Sequence, residues 1–201
     1  MRIEPNLRIF ATGKTQSGKS HLAKRIIQPA ANRIIYDIKR EYTGFGAVVH
    51  NFSRFEQAVR AGVSRIVYQP EDLGLDEFNR VCWYVCRRLK NILFVVDEVH
   101  NFCTKSSIPD GLKYLITVCQ GEPYNIGFFG ISQRPANVHN DILSNASVWF
   151  VFSLNLDRDA KAVEDNTGMP IEVIKALPYR HFCIFNDRAS PSISRHQPLS
   201  G

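Results

Sequence analysis

Short apolar runs alternate along the chain with longer stretches in which apolar residues recur every three or four positions. The short runs, rich in Val, Ile, Phe and Tyr, predict β-strands at residues 7–12, 33–36, 47–52, 65–68, 92–96, 126–132, 148–152 and 181–185. The longer periodic stretches predict helices at 19–27, 55–61, 76–89, 109–120, 157–165 and 171–176. Asp76 has the chemistry of an N-cap, and Gly121 and Gly168 have that of helix stops. Strand–helix alternation of this kind specifies an α/β fold, a mostly parallel central sheet with helices on both faces. No internal repeat interrupts it, so residues 1–189 read as one domain and residues 190–201, rich in Ser and Pro, as a loose tail.

Composition narrows the class. With 201 residues and 44% apolar content the chain can bury a substantial core. Its apolar runs are strand-sized, shorter than the roughly 18 to 20 residues a membrane span needs. The N-terminus also lacks the basic-then-apolar plan of a signal peptide, so a soluble, intracellular protein is expected. Five scattered cysteines without a CxxC pair point to reduced core thiols, although Cys82 and Cys86, four apart on a predicted helix, have a spacing that would let them share a metal. An excess of six positive charges favours anionic partners such as nucleic acid without singling one out.

The sharpest chemical signal follows the first strand. Gly13-Lys14-Thr15-Gln16-Ser17-Gly18-Lys19-Ser20 fits GxxxxGK[ST] and opens a helix. Glycines let the backbone wrap a phosphate closely while its N–H groups and the helix N-terminus point at the anion. Lys19 would neutralise the β and γ oxygens of ATP, the Ser20 hydroxyl would ligate Mg²⁺, and His21 completes the nucleotide-binding set.

A second signal closes the strand at 92–96, where Asp97 and Glu98 follow a wholly apolar run. Acids there lie at the C-terminal edge of a buried strand, where parallel sheets bind ligands. Asp97 would hold the Mg²⁺ shell, partly through water, and Glu98 would orient and polarise the attacking water. The strand at 126–132 delivers Gln133-Arg134-Pro135 to the same edge, where Gln133 would bond the γ-phosphate or the lytic water. For Gln133 to do so, its strand must lie between the phosphate-loop strand and the Asp97 strand, a 5-1-4-3-2 core order. The expected fold is a P-loop NTPase three-layer sandwich of the additional-strand (RecA/ASCE-like) type. A guanine-reading Asn-Lys-x-Asp run is absent from the sequence, and so is an arginine-rich lid of the nucleotide-kinase kind.

Three further segments sharpen the reading: Tyr36-Asp37-Ile38-Lys39-Arg40-Glu41-Tyr42, Val96-Asp97-Glu98-Val99-His100-Asn101-Phe102, and Ser132-Gln133-Arg134-Pro135 with Asp141-Ile142-Leu143-Ser144-Asn145-Ala146 downstream. With the phosphate loop they resemble the FtsK/HerA superfamily of DNA-pumping ATPases over residues 7–185. The compact span resembles, within that group, the minimal genome-packaging ATPases of membrane-containing icosahedral viruses.

The resemblance implies ATP hydrolysis coupled to movement of double-stranded DNA through a homo-oligomeric ring, a hexamer or pentamer. It further implies capsid or membrane-vertex proteins as docking partners, and residence in host cytoplasm or on the virion. Such rings need an arginine acting in trans on a neighbour's γ-phosphate. Arg87, Arg88, Arg134 and Arg158 are candidates, with Arg87 and Arg88 favoured because they precede the carboxylate strand. Lys105 is a candidate for DNA phosphate contact. A HerA-like or conjugation-type cellular pump, and a nucleotide-gated assembly module with slow hydrolysis, stand as alternatives.

Overall fold

The computed structural model describes residues 6–186 and the backbone of residues 194–198. Nine strands form one sheet in the order β3-β4-β2-β5-β6-β1-β7-β8-β9. In chain order these are β1 (Arg8–Thr12), β2 (Arg33–Tyr36), β3 (Ala47–Val49), β4 (Arg65–Tyr68), β5 (Ile92–Val96), β6 (Ile126–Ser132), β7 (Val148–Phe152), β8 (His181–Asn186) and β9 (Ser194–Pro198). Strands β1 to β7 pair in parallel, whereas β8 runs antiparallel to β7 and β9 antiparallel to β8. The expected core order is present, with β6 between β1 and β5.

Seven α-helices connect the strands: α1 (Lys19–Ile27), α2 (Phe52–Arg60), α3 (Leu75–Arg88), α4 (Asp110–Thr117), α5 (Asn140–Ser144), α6 (Asp157–Thr167) and α7 (Ile171–Lys175). The two faces of the sheet are unequally covered. Phe10, Tyr36, Phe94, Phe128 and Trp149 face a core shared with the other six helices, while Ile9, Ala11, Val95, Phe129 and Phe150 face α1 and the segment around Tyr42. Because side chains alternate along a strand, each central strand feeds both cores and must be apolar throughout, which is why β5 and β7 are buried at every position.

Two arginines seal the N-terminal edge of this sheet. Arg8, 1% exposed, donates to the carbonyls of Leu115 at 2.7 Å, Ile116 at 3.2 Å and Ile126, holding the end of α4 against β1 and β6. Arg33, at the start of β2, donates to the carbonyls of Ile27, Gln28 and Ala30 at 3.3, 3.1 and 2.7 Å, and to that of Phe45 at 2.9 Å. A cation at a helix C-terminus satisfies carbonyls the helix itself leaves open and complements its dipole. Burial lowers the Arg8 pKa to about 10, which leaves it charged at neutral pH.

Several boundaries differ from the sequence reading. Residue 52 opens α2 rather than closing β3, because Asn51 caps the helix by accepting the Arg54 N–H at 3.0 Å. Asp76 lies in the first turn of α3, whose N-cap is Gly74, so it supports the helix dipole rather than capping. Gly168 does terminate α6 in the left-handed conformation (φ 71°). Gly121 does not end α4, which closes at Val118; its carbonyl accepts the N–H groups of Tyr124 and Asn125 in the turn before β6. In the stretch read as a loose tail, residues 194–198 form β9, and the rest of that stretch lies outside the described residues. All five cysteines are buried thiols, and no described helix is long and apolar enough to cross a membrane.

Candidate active site

At the C-terminal edge of the sheet, segments from β1, β2, β5, β6 and the approach to β8 line a cavity of about 540 Å³. The loop after β1 makes its floor. Gly13 has φ 154°, and a Cβ there would lie 2.4 Å from that of Phe152, so only glycine lets the loop pass against β7. Gly18 caps α1 at φ 106°, again in the left-handed region, and Lys14 N–H donates to the Ser153 carbonyl at 2.8 Å. Residues 14–20 are thereby held between two strands, with the open N–H groups of α1 facing the cavity.

Lys19 is 7% exposed, and its ammonium donates to the Gly13 and Lys14 carbonyls at 2.7 Å each. Burial draws its pKa down to about 8, against the opposing pull of Glu98. Across the cavity, Asp97 and Glu98 are each 2% exposed. Asp97 Oδ2 is buried without a hydrogen-bond partner, as are Thr12 Oγ1 and Ser17 Oγ on the loop side. Burial, and then the Glu98 charge, push the Asp97 carboxyl up to about 7. A buried acceptor left unpaired is costly unless a ligand supplies its partner.

Glu98 is the more connected acid. It adopts left-handed backbone (φ 48°), which turns its side chain back across the sheet edge. One carboxylate oxygen ion-pairs with Lys39; the other lies 3.2 Å from His100 Nδ1 and accepts the Gln133 N–H at 3.4 Å. Burial lowers the His100 pKa, favouring the neutral ring, and Nδ1 lies 2.9 Å from Ser132 Oγ. The Gln133 side chain meanwhile accepts from the Thr15 hydroxyl at 2.7 Å, so this residue touches both the phosphate loop and Glu98.

Lys39 is presented by a loop that Asp37 folds. The Asp37 carboxylate is fully buried and accepts from the N–H groups of Glu41 and Tyr42, each at 3.0 Å, and from Gln69 Nε2 at 2.9 Å. That wraps residues 37–42 and points Lys39 and Glu41 into the cavity. The segment carries part of the family resemblance, but its spacing gives neither residue a part in the site. Nor does the sequence single out Tyr179 and Arg180, which line the same cavity from the turn before β8. No motif marks that turn.

Thr15, Gln16, Gly18, Lys19, Ser20, His21, Asp97 and Glu98 line the cavity together, with Gln133 bonded to its rim through Thr15. Arg87 and Arg88 are exposed at the end of α3, on the opposite edge of the sheet, with the Arg87 guanidinium 4.6 Å from the Trp83 ring centroid. Arg134 and Arg158 are exposed near the C-terminal edge, and Lys105 sits in a tight turn closed by Thr104 N–H to the Ser107 carbonyl at 2.7 Å. Among the described residues no group of three or more His, Cys, Asp and Glu side chains is arranged to hold a metal. A hard cation here would fit Asp97 Oδ2 and the Ser20 hydroxyl, taking its other oxygens from phosphate and water.

A parallel sheet of this order, with a glycine-bound phosphate loop after β1 and acids after β5, is the fold of a P-loop NTPase of the additional-strand type. No protein-family model and no curated protein matches the chain. Among solved structures, it is similar to the genome packaging NTPase B204 from Sulfolobus turreted icosahedral virus 2 in complex with ATPγS. The two share 18% identity over 98% of this chain and 100% of that one, with a TM-score of 0.81. VirB4 of Thermoanaerobacter pseudethanolicus is similar at 11% identity over 96% of this chain and 89% of that one, TM-score 0.66. The pCW3 conjugation coupling protein TcpA gives 18%, 92%, 59% and 0.54 for the same quantities. These likenesses concern the fold, and they agree with the FtsK/HerA resemblance carried by the sequence segments.

Proposed function

We propose that this chain is an ATPase that translocates double-stranded DNA, acting in packaging of a viral genome into a preformed capsid. The observation that carries the reading is the convergence in one cavity of Lys19, Ser20, the unpaired Asp97 oxygen and Glu98, opposite open helix N–H groups. In that arrangement Lys19 leaves the Gly13 and Lys14 carbonyls for the β and γ oxygens. Ser20 and Asp97 would hold Mg²⁺, which would neutralise charge developing on the phosphates. Glu98 orients the lytic water, and Gln133 reports whether the γ-phosphate is present through its contacts to Thr15 and Glu98. Arg87 and Arg88 are suited to act on a neighbour's nucleotide in a ring, since they lie on the edge remote from their own. The step from NTPase to packaging motor is supported by likeness over the full length of a genome-packaging NTPase.

Phosphate release measured with and without duplex DNA tests this. Turnover should rise with duplex and fall to background in Lys19→Ala and Glu98→Gln; turnover indifferent to DNA would refute the motor. A conjugation-type pump is the second reading, favoured by likeness to a conjugation coupling protein. Assembly on capsid vertices as against a membrane channel complex separates the two. A monomer that binds ATP without hydrolysing it would leave the nucleotide-gated switch.

A further inference from the structure

The order of strands divides the cavity into two ends. From β1, the acids at the end of β5 lie two strands away on one side, across β6, while β8 lies two strands away on the other, across β7. At about 4.8 Å per strand, each end is roughly 10 Å from the phosphate loop. Because β8 is antiparallel to β7, the turn that enters it stands at the same edge as the C-terminal ends of the parallel strands, with Phe152 paired to Phe182. Tyr179 and Arg180 form that turn, closed by His181 N–H to the Pro178 carbonyl at 3.0 Å. A triphosphate seated on the loop with its γ end toward Asp97 and Glu98 directs its nucleoside toward the β8 end.

Tyr179 is 61% exposed, the most exposed large apolar side chain among the described residues, and it lines a cavity otherwise dominated by charge. Its ring has the Arg180 guanidinium 5.2 Å from its centroid. Arg180 occupies left-handed backbone (φ 60°), a conformation that disfavours any residue with a Cβ, at the third position of a turn where glycine is the unstrained choice. An exposed aromatic ring with a strained arginine beside it has no packing role, and both features suit a flat, electron-rich ligand that stacks.

We infer that the Tyr179–Arg180 turn is the nucleoside subsite: a nucleobase stacks on the Tyr179 ring, and Arg180 contacts the ribose or α-phosphate side of the same ligand. This rests on the reading of the phosphate loop and acids as a nucleotide site. Stacking recognises the π-face common to all bases, and the turn itself, Pro178-Tyr179-Arg180-His181, carries no Asn, Asp or Gln to read a base edge. The subsite therefore takes nucleoside triphosphates without choosing between adenine and guanine.

Calorimetric titration of the full chain with Mg²⁺ and ATP, GTP or inorganic tripolyphosphate tests the inference. Tyr179→Ala should weaken ATP and GTP alike by about tenfold, while tripolyphosphate binding stays within roughly twofold and Tyr179→Trp restores both nucleotides. Exposure of the side chain keeps the variants folded, which a thermal melt verifies. Unchanged ATP affinity in Tyr179→Ala would overturn the subsite and leave the ATPase reading standing. Strong preference for one purine in the wild-type protein would overturn its tolerance. Failure of the wild type to bind either ATP or tripolyphosphate would overturn both readings together.

Discussion

The two edges of the sheet treat buried cations in opposite ways. At the N-terminal edge, Arg8 and Arg33 are buried against three and four backbone carbonyls, among them those at the ends of α4 and α1, and every contact tightens the fold. At the C-terminal edge, Lys19 rests on two loop carbonyls while Asp97, Thr12 and Ser17 keep buried polar atoms without partners. A chain selected for stability alone would have closed both edges. The contrast locates where binding free energy is to be supplied from outside, since unpaired buried groups are retained where a ligand completes them.

Lys19→Ala should break the comparison hardest. Turnover should fall by about 10² to 10³-fold, as when one preorganised charge-stabilising donor is removed. The melting temperature should change little, because Lys19 bonds two carbonyls of its own loop beside an open cavity, where water can take its place. Arg8→Met is the mirror experiment. It strips the carbonyls of Leu115, Ile116 and Ile126 of their donor and should cost about 3 kcal/mol of stability in urea unfolding. Nucleotide affinity of the folded protein should be unchanged.

Asp97→Asn should separate stability from activity at a single residue. Folding raises the Asp97 pKa from an ordinary 3.8 to about 7. Between those two values the metal-free folded state holds a proton that the unfolded state has released, so stability falls as pH rises from about 4 to 7. The asparagine variant escapes this loss. Its melting temperature should exceed that of the wild type above pH 7, by a margin that shrinks toward pH 4, while its turnover is abolished. The smallest effect should come from Thr15→Val, which removes the hydroxyl bonded to Gln133 and should slow turnover about fivefold through loss of roughly 1 kcal/mol, with affinity for ATP preserved.

Periodicity made the central strands legible because β2, β4, β5, β6 and β7 are apolar on both faces, and the topology followed once Gln133 had to neighbour the phosphate loop. The loop and the acid pair were legible because their backbone chemistry is local. Arg8 and Arg33 were absorbed into strands without comment: the Leu115 carbonyl that Arg8 caps lies 107 residues away in sequence. Lys39 depends on Asp37 wrapping its loop, and Tyr179 on the reversed direction of β8, neither of which any spacing rule encodes. The edge strand β9 escaped notice because Ser194, His196 and Pro198 break the apolar pattern of the inner strands.

Helix α1 spans about 13 Å at 1.5 Å per residue, and both of its ends are fastened. Its first residue is Lys19, bonded to the loop carbonyls of Gly13 and Lys14, and its last carbonyls are gripped by Arg33 at the foot of β2. The other end of β2 leads into the loop that carries Lys39 to Glu98. Helix, arginine, strand and loop therefore make a closed mechanical circuit around one side of the sheet. The phosphate loop and Glu98 are thus fastened to one another through the body of the sheet as well as across the cavity.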